Sequence, residues 1–533
     1  MKALADLVNR MLGSPRDQVG ADQERIVACL AAVVVATTLI AHWSTLALSP
    51  MVARDEVEIV DYGRRLLDPT TEWGLSLDTN GRPAQSLFPV YLLLQRAWLA
   101  LFGVTPIPVR TLSALCGVAA VAAFFLLLRL QGVGEKIAAL SSLGLWFDPL
   151  FVTSLRMGRA DTFAMMLALL ACGAWSRALS QNSGSLAALS GLLAGVSLAA
   201  WPTAAITLAF GILIYGTWVL GNRQLQVRCV AAAVGAFAVV SFLVASYYIV
   251  WRGEDIVDAL RVIRTATERR DPTTGDPVTV IIRSYLRSPW VVIWVVLASV
   301  VGTRNRRGLQ AIGGMLLALG VATCIPPFYP FRLLYVVPLF YLVISRAFVG
   351  RRAVVAMLLL LVVPSAAVNV GARTVVAVLD REYRDYVRFG ESLERLVPAN
   401  CWVVGDWSIY YVGLRNGWKM FNADEAERWW RGLGELDRVF FVLGDRARIS
   451  VWQAEFDCVY IGSAHAGNSE KRLHLRRGYT VYVFSGLRRR RAGEGPVTGA
   501  MSVDWLWRGE GGEAGTGFSE SAAATDSCRA PWR

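Results

Sequence analysis

Histidine is nearly missing from this chain of 533 residues, with three in all, and none of the eight cysteines stands in a CxxC pair. No compact His/Cys metal-ligand spacing is therefore available. There is no phosphate-cradling glycine loop beside a strand-to-helix step, which argues against a nucleotide site. No repeat recurs at a solenoid or transporter period. Charge is scarce too: 18% of residues are charged against 55% hydrophobic, with a mean hydropathy of +0.43. That balance is wrong for a soluble globule and right for a polytopic membrane protein. The formal net charge of +13 comes with no nucleic-acid-binding motif, and much of it reads as membrane topology.

What is abundant is long apolar runs. Those of about 17–25 residues can cross a bilayer as helices. Eleven are read here: 26–48, 109–130, 136–154, 161–179, 185–200, 203–220, 229–251, 289–303, 308–326, 332–349 and 353–371. With the N-terminus inside, every inner loop carries a basic residue, among them Arg25, Arg129, Lys136, Arg177, Arg223, Arg306 and Arg351, as the positive-inside rule asks. Leu87–Phe102 would be a twelfth span but would invert every later loop. It is read as a helix at the outer interface, where Tyr91, Arg96 and Trp98 suit the depth. The first run is too long for a signal-peptide core and is expected to stay as an anchor.

The expected fold is thus a polytopic α-helical membrane protein of about eleven spans with a small C-terminal extracytoplasmic α/β domain. It divides into a cytoplasmic stub (1–25), a membrane domain (26–371) with a large first outer loop (49–108), an external domain (372–487) and a disordered tail (488–533). In the external domain a charged helical stretch covers about 380–396. Short β-rich runs follow at Trp402–Val404, Val439–Leu443, Cys458–Ile461 and Thr480–Phe484, with helical segments such as Ala423–Arg431 between them. Cys401 and Cys458 would be able to pair there if the compartment is oxidising.

Candidate chemistry gathers on the outer side. Asp55 and Glu56 follow the first span directly, and Val57, Ile59, Val60, Leu66 and Leu67 lie at roughly helical spacing after them. Spacing alone leaves two readings open: acids in a helix's first turn, favoured by its dipole, or a carboxylate base at the membrane surface. Arg156, Arg159 and Asp161 share the outer turn between the third and fourth spans. They read either as a helix cap with snorkelling arginines or as a lipid-phosphate site. Asp148 is a weaker candidate one loop-end earlier. Arg82, on the turn leading to Phe88–Pro89, is a further phosphate ligand or a solvated loop residue. The outer loop 252–288 is arginine-rich, and Arg283 and Arg287, nearest the next span, are its candidates for an anionic lipid head. The turn Pro326–Arg332 adds aromatic and basic groups on the same side.

At these residues the chain resembles the GT-C superfamily of membrane glycosyltransferases, in the branch of the protein O-mannosyltransferases and the lipid A aminoarabinose transferase. The resemblance rests on Asp55–Glu56 after the first span, then Leu101–Phe102–Gly103 with Pro108–Val109–Arg110–Thr111–Leu112, then Arg156 to Asp161, in that order. It covers roughly 26–371. It implies an inverting transferase that takes a sugar from a polyprenyl-phosphate donor to an extracytoplasmic acceptor (protein, lipid or polysaccharide) at a bacterial inner membrane. By the same resemblance Asp55 is the catalytic base beside Glu56, Asp161 the second acid, and Arg156 and Arg159 donor ligands. Arg82–Pro83 matches the Lys-Pro-Pro turn of the aminoarabinose branch, with Arg in place of Lys and Ala84 in place of the second Pro. Some relatives hold a divalent metal ion near the acids and others work without one, and the sequence does not decide. A rival class is a transporter or flippase of lipid-linked sugars, which calls for charges within the spans and an internal repeat.

Overall fold

A computed structural model describes residues 18–52, 54–67, 89–209, 211, 227–247, 277–303, 306–324, 330–347, 351–423, 439–444, 456–466 and 479–489. Arg82, the outer-loop arginines Arg261, Arg264, Arg269 and Arg270, most of the 203–220 run, the helical reading of Ala423–Arg431 and the tail from 490 lie outside the described residues. The chain forms two compact units. One comprises Met1–Leu46, Ala84–Leu101 and Pro108–Val375, the other Ala47–Pro83, Phe102–Ile107 and Val376–Arg533.

The first unit is helical. Its opening helices are α1 (Gln18–Thr45), then, after α2 (Arg54–Leu67) of the other unit, α3 (Pro89–Phe102) and α4 (Pro106–Leu130). They are followed by α5 (Glu135–Phe147), α6 (Pro149–Arg156), α7 (Asp161–Gln181) and α8 (Gly184–Ala200). Among the described residues four helices are long and apolar enough to cross a membrane: Pro106–Leu130, Asp161–Gln181, Val227–Ser246 and Val354–Leu379. Two bent pairs raise this to six. Cys29–Thr45, Gly184–Ala200, Gly308–Thr323 and Val337–Arg346 are apolar but shorter, so length alone does not reach the eleven spans read from the sequence. α3, at 14 residues, rises only about 21 Å, less than a hydrocarbon core of roughly 30 Å.

The 136–154 run, read as one span, is broken. α5 and α6 meet at 59°. The cause is local. Pro149 has no N–H and pushes the residue before it out of the helical region, so Asp148 is extended at φ −61°, ψ 135°. Asp148 then caps α6 with its own side chain, accepting from Leu150 N (2.9 Å) and Phe151 N (3.4 Å). The carbonyl of Phe147 accepts from Asn369 Nδ2 at 2.9 Å, and Asn369 stands in a π-helical turn, Ala367–Ala372. A second break, of 119°, separates Val278–Tyr285 from Pro289–Gly302, again at a proline.

The second unit holds a five-stranded sheet: β1 (Trp402–Gly405), β2 (Lys419–Asn422), β3 (Val439–Leu443), β4 (Phe456–His465) and β5 (Thr480–Arg489), in the order β2-β1-β3-β5-β4. β1 pairs parallel with β2 and β3, whereas β5 runs antiparallel to β3 and β4. β3 is buried along its whole length, which explains its unbroken apolar sequence. Four strands fall on the β-rich runs of the sequence. β2 was missed, because Lys419–Asn422 carries no alternating pattern. The helical stretch expected at 380–396 is split, since Asp385 caps a new helix, Tyr386–Glu394, by accepting from Val387 N and Arg388 N. Cys401, at the foot of β1, is buried and disulfide-bonded.

Candidate active site

Within the first unit, the turn between α6 and α7 is assembled by the motifs the sequence singled out. Gly158 has φ +64°, and a Cβ on it would lie 2.4 Å from Val109 Cγ1. Glycine is thus required twice over, for the left-handed backbone and for the contact with α4. The Gly158 carbonyl accepts from the Tyr91 hydroxyl at 3.2 Å. Ser113 Oγ reaches the Arg159 carbonyl at 3.1 Å and Thr162 Oγ1 at 3.0 Å, and Thr162 Oγ1 donates to the Ser113 carbonyl at 2.9 Å. The Pro108–Leu112 passage and the Arg156–Asp161 passage, some fifty residues apart in sequence, are therefore two sides of one contact.

The two fully buried arginines of these passages share one task. Arg156 donates through Nη2 to the Thr45 carbonyl (3.0 Å) and hydroxyl (2.9 Å), and through Nη1 to His42 Nδ1 (2.8 Å). Arg110 donates through Nη1 to the Leu46 carbonyl. Both guanidinium groups thus satisfy the last carbonyls of α1, where orphan acceptors and the negative end of the helix dipole favour a cation. Arg156 is not snorkelling to the surface, and its burial is balanced by these bonds.

Arg159 faces differently. Its Nε donates to Asp161 Oδ2 at 2.6 Å, and its guanidinium lies over the Phe331 ring at 3.9 Å and 6.0 Å from Trp201. Asp161 Oδ1 accepts from the Tyr335 hydroxyl at 3.2 Å. Asp161 is 1% exposed and stands inside the first turn of α7, while the N-cap position, Ala160, has no side-chain bond. The carboxylate therefore serves Arg159 and Tyr335 and does not cap the helix in the ordinary way. Asp148, whose Oδ1 caps α6, offers Oδ2 to Tyr285 (3.2 Å) and Tyr341 (3.4 Å). Tyr341 comes this close because Gly144 has no side chain: a Cβ there would meet its ring at 2.3 Å. Arg283 and Arg287 are exposed, at and just past the end of the Pro277–Tyr285 helix.

The acidic pair belongs to the second unit, on α2, with both acids in its first turn. The two differ sharply. Glu56 is fully buried and accepts from the Tyr411 hydroxyl at 3.0 Å, whereas Asp55 is only half-buried. Further along, Asp61 is buried and accepts from the Tyr410 hydroxyl at 3.1 Å. The entry to α2 is tied as well, since Val52 N donates to the Tyr479 hydroxyl at 2.9 Å. Burial first, and then the neighbouring Tyr479 and Glu56, push the Tyr386 phenol well above its usual pKa, while burial and the Asp61 charge do the same for Tyr410. Tyr410 therefore stays protonated and goes on donating. Nothing in the sequence marked Tyr335, Tyr410 or Tyr411, because each meets its acid only through the fold. Among the described residues no group of three or more His, Cys, Asp or Glu could hold a metal ion.

Residues 82–251 match the family model described as dolichyl-phosphate-mannose-protein mannosyltransferase, and this stretch contains both passages that meet at Gly158. The fold is similar to that of ArnT from Cupriavidus metallidurans. In its apo state the likeness has a TM-score of 0.56 at 12% identity, and covers 85% of this chain and 97% of that one. The same ArnT bound to undecaprenyl phosphate gives a TM-score of 0.55, again at 12% identity, with the same shares of the two chains covered. Among curated proteins none matches the chain. The turn at Gly158 and the acidic first turn of α2 are the two places where the order of the sequence motifs acquires a structural cause: one is a packing contact, the other a tyrosine-braced helix.

Proposed function

We propose that the protein transfers a sugar from a polyprenyl-phosphate donor to an acceptor on the extracytoplasmic side of a bacterial inner membrane, with inversion at the anomeric carbon. The N-terminus is cytoplasmic and the sheet-bearing unit external. The observation that carries the reading is the contrast within the acidic pair: Glu56 is fully buried under Tyr411, while Asp55, beside it in the same first turn, keeps solvent access. A base must reach the proton it removes.

In this reading Asp55 accepts the proton of the acceptor hydroxyl. The acceptor oxygen forms its bond to the anomeric carbon, and the bond from that carbon to the phosphate oxygen breaks, leaving polyprenyl phosphate with the electron pair. Arg159 is the cation that offsets the charge gathering on the departing phosphate. Asp161 positions it from one side and Phe331 supports its face from the other. Arg156 serves the donor through the turn it holds in place. Arg82, Arg283 and Arg287 are assigned the remaining contacts with the lipid phosphate, and Glu56 fixes the orientation of the helix that carries Asp55. Two findings support the reading. The family model matching 82–251 is described as dolichyl-phosphate-mannose-protein mannosyltransferase, and one structure of similar fold was solved with undecaprenyl phosphate. The disulfide at Cys401 suits an oxidising compartment for the sheet unit.

The test is transfer from a polyprenyl-phosphate sugar by the purified, reconstituted protein and its Asp55→Asn variant. The reading requires that the variant fold and lose transfer, and normal transfer by a folded variant would overturn it.

A further inference from the structure

Of the acids singled out in the sequence, Asp148 is left without a task by the transfer chemistry above, yet it is fully buried. Four donors converge on its carboxyl group: the N–H groups of Leu150 and Phe151 on Oδ1, and the hydroxyls of Tyr285 (3.2 Å) and Tyr341 (3.4 Å) on Oδ2. The two oxygens thus serve different parts of the chain. Oδ1 caps α6, a local task that an asparagine or a serine performs equally well. Oδ2 serves two phenols 137 and 193 positions away, and capping does not call for them.

Tyr285 is the last residue of the helix Pro277–Tyr285, at the edge of the 119° break before Pro289, and Tyr341 lies in the helix Val337–Ala347. The breaks at Pro149 and Pro289 are joined a second time. Asn369, in the π-helical turn, donates to the Phe147 carbonyl at 2.9 Å and exchanges hydrogen bonds with Ser288 Oγ at 3.0 and 3.3 Å. Three interruptions of regular helix are therefore gathered in one polar knot, all within the first unit. Tyr285, Ser288, Tyr341 and Asn369 are buried, so each bond left unmade would cost the desolvation of its partners.

Three short helices beside the knot pack on one another: α6, Pro277–Tyr285 and Pro330–Leu334. None of the three exceeds nine residues, too short to hold its own place, so side chains must fix it. α6 runs directly into the turn bearing Arg159, Pro277–Tyr285 carries Arg283, and Phe331 of the third covers the Arg159 guanidinium. We propose that Asp148 is a positioning residue for the donor phosphate: through Tyr285 it fixes the helix of Arg283 against α6, and so sets the spacing of Arg283 and Arg159 around one phosphate group. The inference rests on the donor reading above, which gives both arginines to that phosphate. Asp148 itself touches neither lipid nor sugar.

The test is equilibrium binding of polyprenyl phosphate to the full-length protein in nanodiscs, followed by tryptophan fluorescence, with no acceptor and no transfer. Tyr285→Phe removes one hydroxyl from a buried ring and keeps its packing. It should weaken binding about tenfold, the worth of one hydrogen bond to a charged group. The same substitution in an Arg283→Gln background should change binding by less than about twofold, because the arginine it positions is gone. A loss of similar size in both backgrounds marks a general loosening of the fold and overturns the proposal. Should Tyr285→Phe fail to fold, Asp148→Asn decides by the same cycle, since its oxygen still caps α6 while its amide no longer accepts from the phenols. Wild-type protein that does not bind polyprenyl phosphate overturns the donor reading and this inference with it. Binding by the wild type that Tyr285→Phe leaves unchanged overturns this inference alone.

Discussion

Replacing Gly158 with alanine tests whether the two motif passages are really one packed contact. Two costs follow from the geometry. At φ +64° an L-residue pays about 1–2 kcal/mol for the left-handed conformation. The new Cβ would also sit 2.4 Å from Val109 Cγ1, a side chain that is 0% exposed and has no room to retreat. Overpacking of that kind costs about 1–3 kcal/mol. The sum is about 2–5 kcal/mol, a large share of the stability of any domain. The second cost can be separated from the first, because Val109→Ala removes the atom that clashes. In Gly158→Ala/Val109→Ala the conformational cost remains and the steric one disappears, so the pair should show a favourable coupling of about 1–3 kcal/mol. The assay is unfolding of the detergent-solubilised protein followed by tryptophan fluorescence, on wild type, both single variants and the double. If the two substitutions are additive, Val109 and Gly158 are not in contact and the joining of the passages is wrong.

Two further outcomes follow from the buried charges and tyrosines. Arg159→Ala strands the carboxylate of Asp161, which is 1% exposed, and should destabilise the protein by about 3–5 kcal/mol. Removing Asp161 as well should recover part of that loss, and a double variant no better than Arg159→Ala would refute the pairing. The pKa of Tyr386 and of Tyr410 is raised in the folded chain, so their contribution to stability is fully present below about pH 10 and is lost as pH rises from there toward the folded values. A spectrophotometric titration should find these phenols ionising only together with alkaline unfolding of the sheet unit, and ionisation near pH 10 with the fold intact would contradict their burial.

Much of this architecture is legible in the sequence wherever a single residue type sets the local outcome. Apolar runs mark the helices, and the alternation of strand and turn residues marks β1, β3, β4 and β5. Asp148–Pro149 also announced its break, since proline restricts the residue before it, but a hydropathy run reads straight through a proline and joins α5 to α6. The Arg156–Asp161 turn was found as a cluster, yet its members diverge in role for reasons no spacing conveys. Arg156 caps the far end of α1, and Arg159 pairs with Asp161 under Phe331. The acidic pair was visible as a pair, whereas the difference between its members depends on Tyr411, 355 positions away from Glu56. Contacts at such separations are set by the fold and leave no local trace.

The claim at the centre of this account is that Asp55, and not its neighbour, is the base. It is tested most directly by single-turnover transfer from a polyprenyl-phosphate sugar in proteoliposomes, comparing Asp55→Asn with Glu56→Gln at matched folded protein. Asp55→Asn should lose on the order of 10²–10⁴ in rate, the usual worth of a general base. Glu56→Gln, which keeps an oxygen to accept from Tyr411, should stay within about tenfold of wild type. Full activity in Asp55→Asn, or an equal collapse in Glu56→Gln, would contradict the account.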